Sequence, residues 1–398
     1  MFIGRERELK LLSALLEKET ASLVVCRGRR RIGKSTLIQE FGKKSEYFLE
    51  FQGLPPRDGL TKKDQLDAFS QQLALQTSLP KLRLESWSQA FALLAGIIGN
   101  EKTVLFLDEI SWMAEKDRDF AGHLKIAWDT QFKKHSGLIL VLCGSVSSWI
   151  DKNILNSAGF MGRVSTDLML SELPLFHCNK FWKQKAERIA EMEKLKMLSV
   201  TGGVPRYLEE IDINASAEQN IQRMCFSREG ILFSEFDKIF QDIFSRRANI
   251  CKKIITALSD GNKALTDICK AIGVERSGII SKYMEDLIWS GFVAKDKVYK
   301  PGTSRESRLT RYRIRDNYLR FYIRYIEPMK HAVEQGLYDD VGLDGLTEWD
   351  VIMGFQFENL VLNNVKTVCR VLSIPMNTVK SASPYFQKKN SASKRMSG

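Results

Sequence analysis

The segment Gly28-x-x-x-x-Gly33-Lys34-Ser35 constrains this chain more than any other feature of its sequence. A short apolar run at residues 22–26 precedes it and helix-forming residues follow it, which predicts a strand, a loop and a helix in that order. Two glycines let backbone N–H groups curl around an anion, and the helix start adds positive potential. This pattern is that of a phosphate-binding loop, so we predict a nucleotide site here, with ATP as ligand and Mg²⁺ as cofactor.

The residue types of the loop match the chemistry of a nucleoside triphosphate. The Lys34 ammonium is expected to reach the β- and γ-phosphate oxygens, and the Ser35 hydroxyl to occupy one coordination position of Mg²⁺. We predict that the following residues contact the nucleotide: Gly28, Arg29, Arg30, Arg31, Ile32, Gly33, Lys34, Ser35 and Thr36.

An acidic pair forms the second half of the predicted site. Four apolar residues precede Asp108 and Glu109, which is typical of a buried strand whose carboxyl end carries the acids. We predict that Asp108 holds Mg²⁺ through water, together with Ser35, and that Glu109 polarises the attacking water. The catalytic residues predicted here are therefore Lys34, Asp108 and Glu109.

Alternation of apolar runs with helical patterns sets the fold class. Predicted strands at residues 22–26, 47–51, 103–107 and 138–143 are separated by amphipathic segments, which indicates an α/β fold with a parallel sheet covered on both faces. Beyond about residue 170 we expect helices, with a hairpin near 292–299 and a mostly helical stretch at 310–372.

Composition limits the environment of the chain. No apolar run approaches the length of a membrane helix, so no membrane partner is expected. Seven cysteines without a paired spacing argue against a disulfide scaffold and favour a reduced, cytoplasmic protein. The net charge of +12 is concentrated at residues 295–330, with 11 Lys/Arg against 4 Asp/Glu, and at 376–398, with 5 Lys/Arg and no acid. This favours a polyanion such as nucleic acid, or else a solvated basic surface without a partner.

Several short motifs occur in an order that resembles one known family. These are Phe-Ile-Gly-Arg-Glu at 2–6, the loop at 28–35, Phe-Leu-Asp-Glu at 106–109, Cys-Gly-Ser at 143–145, Met-Gly-Arg at 161–163 and Gly-Gly-Val-Pro-Arg-Tyr at 202–207. Together they resemble the archaeal-type, AAA+/STAND-like P-loop ATPases. The resemblance implies an ATPase core at 1–172, a helical lid at 173–243, a winged helix at 244–305 and a nuclease-like domain of the PD-(D/E)XK type from 306.

The resemblance also implies roles for single residues. Residues 4–6 would lie near the adenine pocket, and Ser145 would be the sensor residue, where the family more often has Asn or Thr. Arg163 would approach a γ-phosphate as a catalytic residue, either within its own chain or from a neighbouring subunit of an oligomer. Arg206 would be either a lid sensor or a helix cap.

The region after the lid leaves two partner classes open. Residues 264–290 have the order helix, Gly turn, helix that is typical of a helix-turn-helix unit, with Arg276 and Lys282 as candidate phosphate contacts. Winged helices of this ATPase class also dock proteins, so DNA and protein both remain candidates. Four aromatic residues at 318–325 fall on one helix face, which predicts core packing, while Arg320 and Arg324 are predicted to contact DNA.

The C-terminal segment resembles the beginning of a nuclease domain. Residues 354–361, with Glu358, match its first helix, but no Asp or Glu follows Glu358 to complete a metal site. We therefore expect a truncated domain at 306–375, caused by a frameshift or early stop, a disordered basic tail at 376–398 and no nuclease activity.

Two functions are consistent with these features. The first is an ATP-hydrolysing enzyme that acts with DNA through the winged helix and the basic region. The alternative is a slow regulatory or signalling switch that docks a protein partner. Phosphoryl transfer to a small molecule is disfavoured because the sequence indicates no acceptor pocket.

Overall fold

A five-stranded parallel sheet forms the centre of the N-terminal part of the computed structural model. The structure describes residues 2–145, 148–244, 247–299, 306–337, 345–379 and 382–384. The strand order is β2-β3-β4-β1-β5, with bounds β1 Ser22–Gly28, β2 Tyr47–Gln52, β3 Thr103–Asp108, β4 Leu138–Ser145 and β5 Val164–Leu170. Because all five strands run in one direction, the loop after β1 and the acids after β3 lie at the same edge of the sheet.

Helices cover both faces of this sheet. Alternate residues of β1 enter two separate apolar cores: Leu23 and Val25 pack on one face, Val24 and Cys26 on the other. The helices of this part are α1 Glu6–Leu16, α2 Lys34–Gly42, α3 Lys62–Gln76, α4 Trp87–Ile97, α5 Ile110–Met113, α6 Phe120–Thr130 and α7 Ser148–Ile150. The predicted parallel α/β class is confirmed.

Strand β5 was not among the four predicted strands. It pairs with β1 at one edge of the sheet, and its residues alternate between partly exposed and exposed over most of its length. Polar residues such as Thr166 and Asp167 interrupt its apolar pattern. An edge strand of this kind lacks the continuous apolar run that marks the buried strands.

Residues from Leu173 to Leu360 contribute to one continuous apolar core. Its first part is helical, as predicted for the lid, with α8 Leu175–Cys178, α9 Glu191–Thr201, α10 Pro205–Leu208, α11 Ala217–Cys225 and α12 Glu235–Phe244. Side chains from the predicted lid, winged helix and C-terminal segment share this core. The three segments are thus packed as one body.

Three helices and an antiparallel hairpin follow the lid. Their bounds are α13 Ala248–Leu258, α14 Leu265–Ala271, α15 Gly278–Trp289, β6 Val293–Tyr299 and β7 Glu306–Ile314. The predicted hairpin at 292–299 coincides with β6 alone, and its partner β7 lies beyond the boundary placed at residue 305 and overlaps the stretch from 310 predicted to be mostly helical. The order of elements is compatible with the predicted winged helix, whose identity stays a prediction.

The C-terminal part is helical, with α16 Asn317–Phe321, α17 Glu327–Glu334, α18 Trp349–Asn363 and α19 Val365–Val371. Its aromatic stripe is buried as predicted, with Tyr318, Phe321, Tyr322 and Tyr325 at most 2% exposed. Arg320, predicted to contact DNA, is 1% exposed and lies over the Phe355 ring, so that prediction is wrong. Residues 354–361 lie within α18, and the nuclease-like resemblance stays a prediction.

Three further observations concern the predicted tail, membrane-spanning helices and the cysteines. Most of the predicted tail at 376–398 lies outside the described residues, and Met376–Thr378 form a short 3₁₀ turn. Among the residues that the structure describes, no helix has the length and apolar character required to cross a membrane. All seven cysteines are buried free thiols.

Candidate functional site

The predicted phosphate-binding loop connects the end of β1 to the start of α2. Gly33, immediately before α2, has a φ of 84°, a left-handed conformation that glycine adopts without a steric penalty. At Gly28 a Cβ atom would lie 2.7 Å from the carbonyl oxygen of Leu170 in β5. The loop therefore requires glycine at both positions, once for its turn and once for its close approach to β5.

Lys34 lies within this loop. Its Nζ donates a hydrogen bond to the carbonyl oxygen of Arg29 at 3.1 Å, and the residue is only 6% exposed. An ammonium has three donors, so Lys34 can contact additional acceptors from this position.

Ser35 and Asp108 join the two predicted halves of the site. The Ser35 hydroxyl donates to Asp108 Oδ2 at 2.7 Å, and Asp108 is 3% exposed at the end of β3. Hydroxyl and carboxylate oxygens are ligands that suit Mg²⁺. Within the described parts of the chain no cluster of three or more His, Cys, Asp or Glu side chains could hold a metal alone. An ion at Ser35 and Asp108 would therefore take its remaining ligands from phosphate and water, as Mg²⁺ commonly does.

Glu109 follows in a left-handed backbone conformation, with a φ of 48°. Its Oε2 accepts a hydrogen bond from the backbone N–H of Ser145 at 3.4 Å. Burial raises the pKa of the Glu109 carboxyl, while Lys34 opposes and Asp108 adds to this shift. A raised pKa improves a carboxylate as a proton acceptor near neutral pH. Ser145, the predicted sensor, contacts Glu109 through its backbone and does not line the cavity described next.

A cavity of about 280 Å³ is lined by the loop, the N-terminal segment and residues of the helical part that follows β5. Of the predicted site residues, 30–36 and Glu109 line it, whereas Gly28, Arg29 and Asp108 do not. The remaining lining residues are Phe2, Ile3, Arg5, Leu173, Phe181, Pro205, Arg206 and Glu209. Apolar rings beside cationic groups can accommodate both the base and the phosphates of a nucleotide.

Arg5 is the N-terminal residue most closely tied to the loop. It is buried in the wall of this cavity and donates to the carbonyl oxygens of Ile32 at 3.0 Å and Ser171 at 2.6 Å. It therefore fastens the N-terminal segment to the loop. The location of residues 4–6 near the adenine pocket stays a prediction.

Arg29 was predicted to contact the nucleotide, and the structure corrects this for its side chain. The guanidinium is buried, forms an ion pair with Asp316 and lies 3.0 Å from Glu172. A buried cation requires such partners because leaving water is costly. The Arg31 guanidinium instead donates two hydrogen bonds to the Glu235 carboxylate, at 2.8 and 3.2 Å, although Arg31 also lines the cavity. Two loop arginines thus connect the loop to the helical part of the chain.

Arg163, predicted to approach the γ-phosphate, does not line the cavity. Its guanidinium donates twice to the Asp129 carboxylate of α6, at 2.8 and 2.9 Å. The within-chain role is therefore not supported by this structure, because the side chain is held elsewhere. A role in a neighbouring subunit remains a prediction.

The partners of the loop arginines were not predicted. Glu172, Glu235 and Asp316 are acids scattered over distant parts of the sequence, and none belongs to a motif. A partial signal exists at Glu172, which lies two residues after the end of β5. For Asp316 and Glu235 only the folded chain reveals the role.

Comparison with known proteins assigns the chain to a family. Residues 2–211, more than half of the chain, match the model of an ATPase domain found predominantly in Archaea. The chain belongs to this archaeal-type ATPase family. The matched range contains the loop, the acidic pair, β5 and helices α8 to α10, and every residue that lines the cavity lies within it.

Individual relatives cover much of the chain. An uncharacterized protein of Methanocaldococcus jannaschii is 24% identical over 384 residues, which is 96% of this chain and 81% of that protein. An uncharacterized ATP-binding protein of the same organism is 42% identical over 41 residues, 10% of this chain and 70% of that protein. The Walker-type ATPase of Pyrococcus abyssi has a similar fold, with a TM-score of 0.58 at 16% identity over 81% of this chain and 96% of that one.

Proposed function

We propose that this archaeal-type ATPase binds ATP with Mg²⁺ and hydrolyses its terminal phosphoanhydride bond. The observation that carries the proposal is the 2.7 Å hydrogen bond between Ser35 and Asp108. It unites the loop after β1 with the acidic pair after β3, beside a cavity that Lys34 and Glu109 both line. Membership in the ATPase family supports the same activity.

Binding follows from groups already oriented toward the cavity. Lys34 exchanges its loop carbonyl acceptor for phosphate oxygens, which accept stronger, charge-assisted hydrogen bonds. The N-terminus of α2 and the loop backbone supply further N–H donors. Phe181 and the apolar N-terminal residues exclude water from the base.

Hydrolysis assigns separate tasks to the acids. Ser35 and Asp108 would hold Mg²⁺, which neutralises negative charge that develops on the phosphates. Glu109 accepts a hydrogen bond from, and orients, the attacking water, and its raised pKa suits it to take the proton. Arg206 of α10 also lines the cavity, but it pairs with Glu209 and Glu210, so phosphate would have to compete with these carboxylates for its guanidinium.

Two substitutions separate binding from hydrolysis. Lys34→Ala removes a phosphate contact, so nucleotide binding in a calorimetric titration should be lost or nearly lost. Glu109→Gln should leave binding intact and lower the hydrolysis rate at saturating ATP by about 100-fold or more, because only water activation is removed.

Lys43→Ala is the matched control for Lys34→Ala. Lys43 directly follows α2, but its side chain is 71% exposed and pairs with Glu40. This variant should bind and hydrolyse ATP like the unmodified protein. Unchanged binding in Lys34→Ala would show that the loop is not the nucleotide site.

We also propose DNA as a partner, contacted through α15. Arg276 and Lys282 are exposed at the start and on the first half of this helix. They stand free of ion pairs among the residues that the structure describes. Arginine and lysine near a helix N-terminus are groups that commonly contact phosphates.

The basic segment 295–330 contributes less to this proposal than its composition indicates. Arg313 is buried and paired with Asp296, Arg324 pairs with Asp260 and Glu348, and Lys330 pairs with Asp237. Since these charges are neutralised within the chain, the DNA contact depends mainly on α15.

A protein partner is the second candidate, with the chain acting as a slow regulatory switch. Ile279 in the first turn of α15 is 62% exposed, and acidic Glu275 and Glu285 are exposed nearby. An exposed apolar side chain between charges suits a protein surface better than a phosphate backbone.

A further inference from the structure

A second polar cavity of about 600 Å³ adjoins the nucleotide cavity. Arg31 of the phosphate-binding loop and Arg206 of α10 line both cavities. The other walls come from α11, the turn after it and the start of α12. The volume falls in the range of sites that hold a small molecule.

Cations outnumber acids in the lining of this cavity. Five of its side chains are Arg or Lys, namely Arg31, Arg206, Arg223, Arg228 and Lys238, and three are acids, namely Glu210, Glu229 and Glu235. Glu235 is 1% exposed and already accepts hydrogen bonds from Arg31 and from the Tyr207 hydroxyl. Glu210 pairs with Arg206 at 2.7 Å. Two of the three acids are therefore engaged in internal pairs.

Arg228 and Lys238 carry the excess charge. Both are exposed, and across the described ranges of the chain neither forms an ion pair or a side-chain hydrogen bond. Arg228 lies in the turn between α11 and α12, Lys238 lies in the first turn of α12, and both line the cavity. Arg223 is held beside them by the Glu210 carbonyl and by Asn220. The cavity thus combines oriented arginines with two cations outside any ion pair, set against one remaining carboxylate, Glu229, which accepts a hydrogen bond from the Ser227 hydroxyl.

We propose that this cavity binds the phosphate group of a second ligand, separate from the ATP on the loop. Arginine forks and an ammonium around one space match a tetrahedral dianion, which offers more acceptors than a single carboxylate. The hydroxyls of Ser227 and Ser234 in the lining can donate as well. Because Arg31 lines both cavities, the second ligand binds next to the phosphate-binding loop. The phosphate comes either from a small phosphoanion or from a nucleic-acid backbone.

The test uses the full chain with its first cavity saturated by a non-hydrolysable ATP analogue and excess Mg²⁺. Inorganic pyrophosphate is titrated in one arm, and a fluorescently labelled single-stranded oligothymidine in the other. The double variant Arg228→Gln/Lys238→Gln removes both unpaired charges at exposed positions. The control Arg188→Gln/Lys133→Gln removes one Arg and one Lys that are also exposed and line neither cavity.

One equivalent of pyrophosphate should bind to the chain in addition to the nucleotide analogue. The Kd for pyrophosphate should rise about tenfold or more in Arg228→Gln/Lys238→Gln and stay unchanged in the control. A parallel loss of oligothymidine binding assigns the phosphate to nucleic acid, and a loss confined to pyrophosphate assigns it to a small phosphoanion. No second pyrophosphate event, or equal affinity in both double variants, overturns the proposal. Failure of the ATP analogue to bind counts against the proposed function instead, and the comparison of the two double variants still decides the second site.

Discussion

At the scale of single residues, Arg29 shows how the loop is fastened to the rest of the chain. Its buried guanidinium contacts Asp316 and Glu172. Arg29→Met leaves two carboxylates without their cation, so we expect the free energy of unfolding to fall by about 3 to 5 kcal/mol. Denaturant unfolding measures this loss. Lys43→Met, which removes an exposed ammonium paired with Glu40, is the control and should change the stability little.

A second substitution separates charge from packing at this pair. Asp316→Asn retains an oxygen to accept from the Leu319 N–H, so the start of α16 stays capped. It should lower stability in the unmodified chain and raise it in the Arg29→Met background, where it removes an unpaired buried charge. The same loss in both backgrounds would mean that the two residues are not coupled.

Glu109 gives the hydrolysis reaction a pH dependence. A glutamate ordinarily titrates near pH 4.3, and burial raises the pKa of Glu109 above that value. Since the ionised form accepts the proton, kcat/KM should begin to fall at a pH above the ordinary range as the medium is acidified. A pH–rate profile measures this limb, which should be absent from the residual activity of Glu109→Gln. An acid limb that persists in this variant would assign it to another group.

At the scale of elements, α15 carries the prediction about DNA. The affinity for duplex DNA should fall as the salt concentration rises, with a log–log slope of about −0.9 for each neutralised phosphate. In Arg276→Gln/Lys282→Gln this slope should become less steep by about 0.9 for each phosphate that is no longer neutralised. Fluorescence anisotropy across a salt series measures both. Arg188→Gln/Lys133→Gln is again the matched control. Binding that does not depend on salt, or no binding at low salt, would favour the protein partner.

Elements marked by a short run of characteristic residues could be predicted from the sequence. Elements and contacts that depend on residues far apart in the sequence could not. The loop, α2 and the acidic pair follow from short runs of glycine, apolar and acidic residues. Strand β5 lacked an apolar run, and β7 is rich in arginine, so neither resembles a buried strand. The side-chain role of Arg29 was predicted incorrectly because Asp316 is brought to it only by folding.

At the scale of the whole molecule, two loop arginines determine how the nucleotide loop is attached to the helical core. Arg29 and Arg31 connect the nucleotide loop to Asp316 and Glu235, which border helices of the large core. A ligand that moves the loop must therefore disturb contacts of the helical body. These ion pairs link the loop directly to the first residue of α12 and to the residue that caps α16.

The shared core also determines how the chain unfolds. Helices α9, α13 and α18 belong to segments predicted as separate domains, yet each contributes buried side chains to one cluster. No one of these helices can unfold without exposing apolar surface of the other two. We therefore expect the amides of all three helices to exchange with one common opening free energy in native-state hydrogen exchange at increasing denaturant. Amides of α4, which packs in a different core, serve as the reference. If α13 or α18 opened alone at a lower free energy, the helical part would consist of independent domains, and the loop arginines would be connected to only one of them.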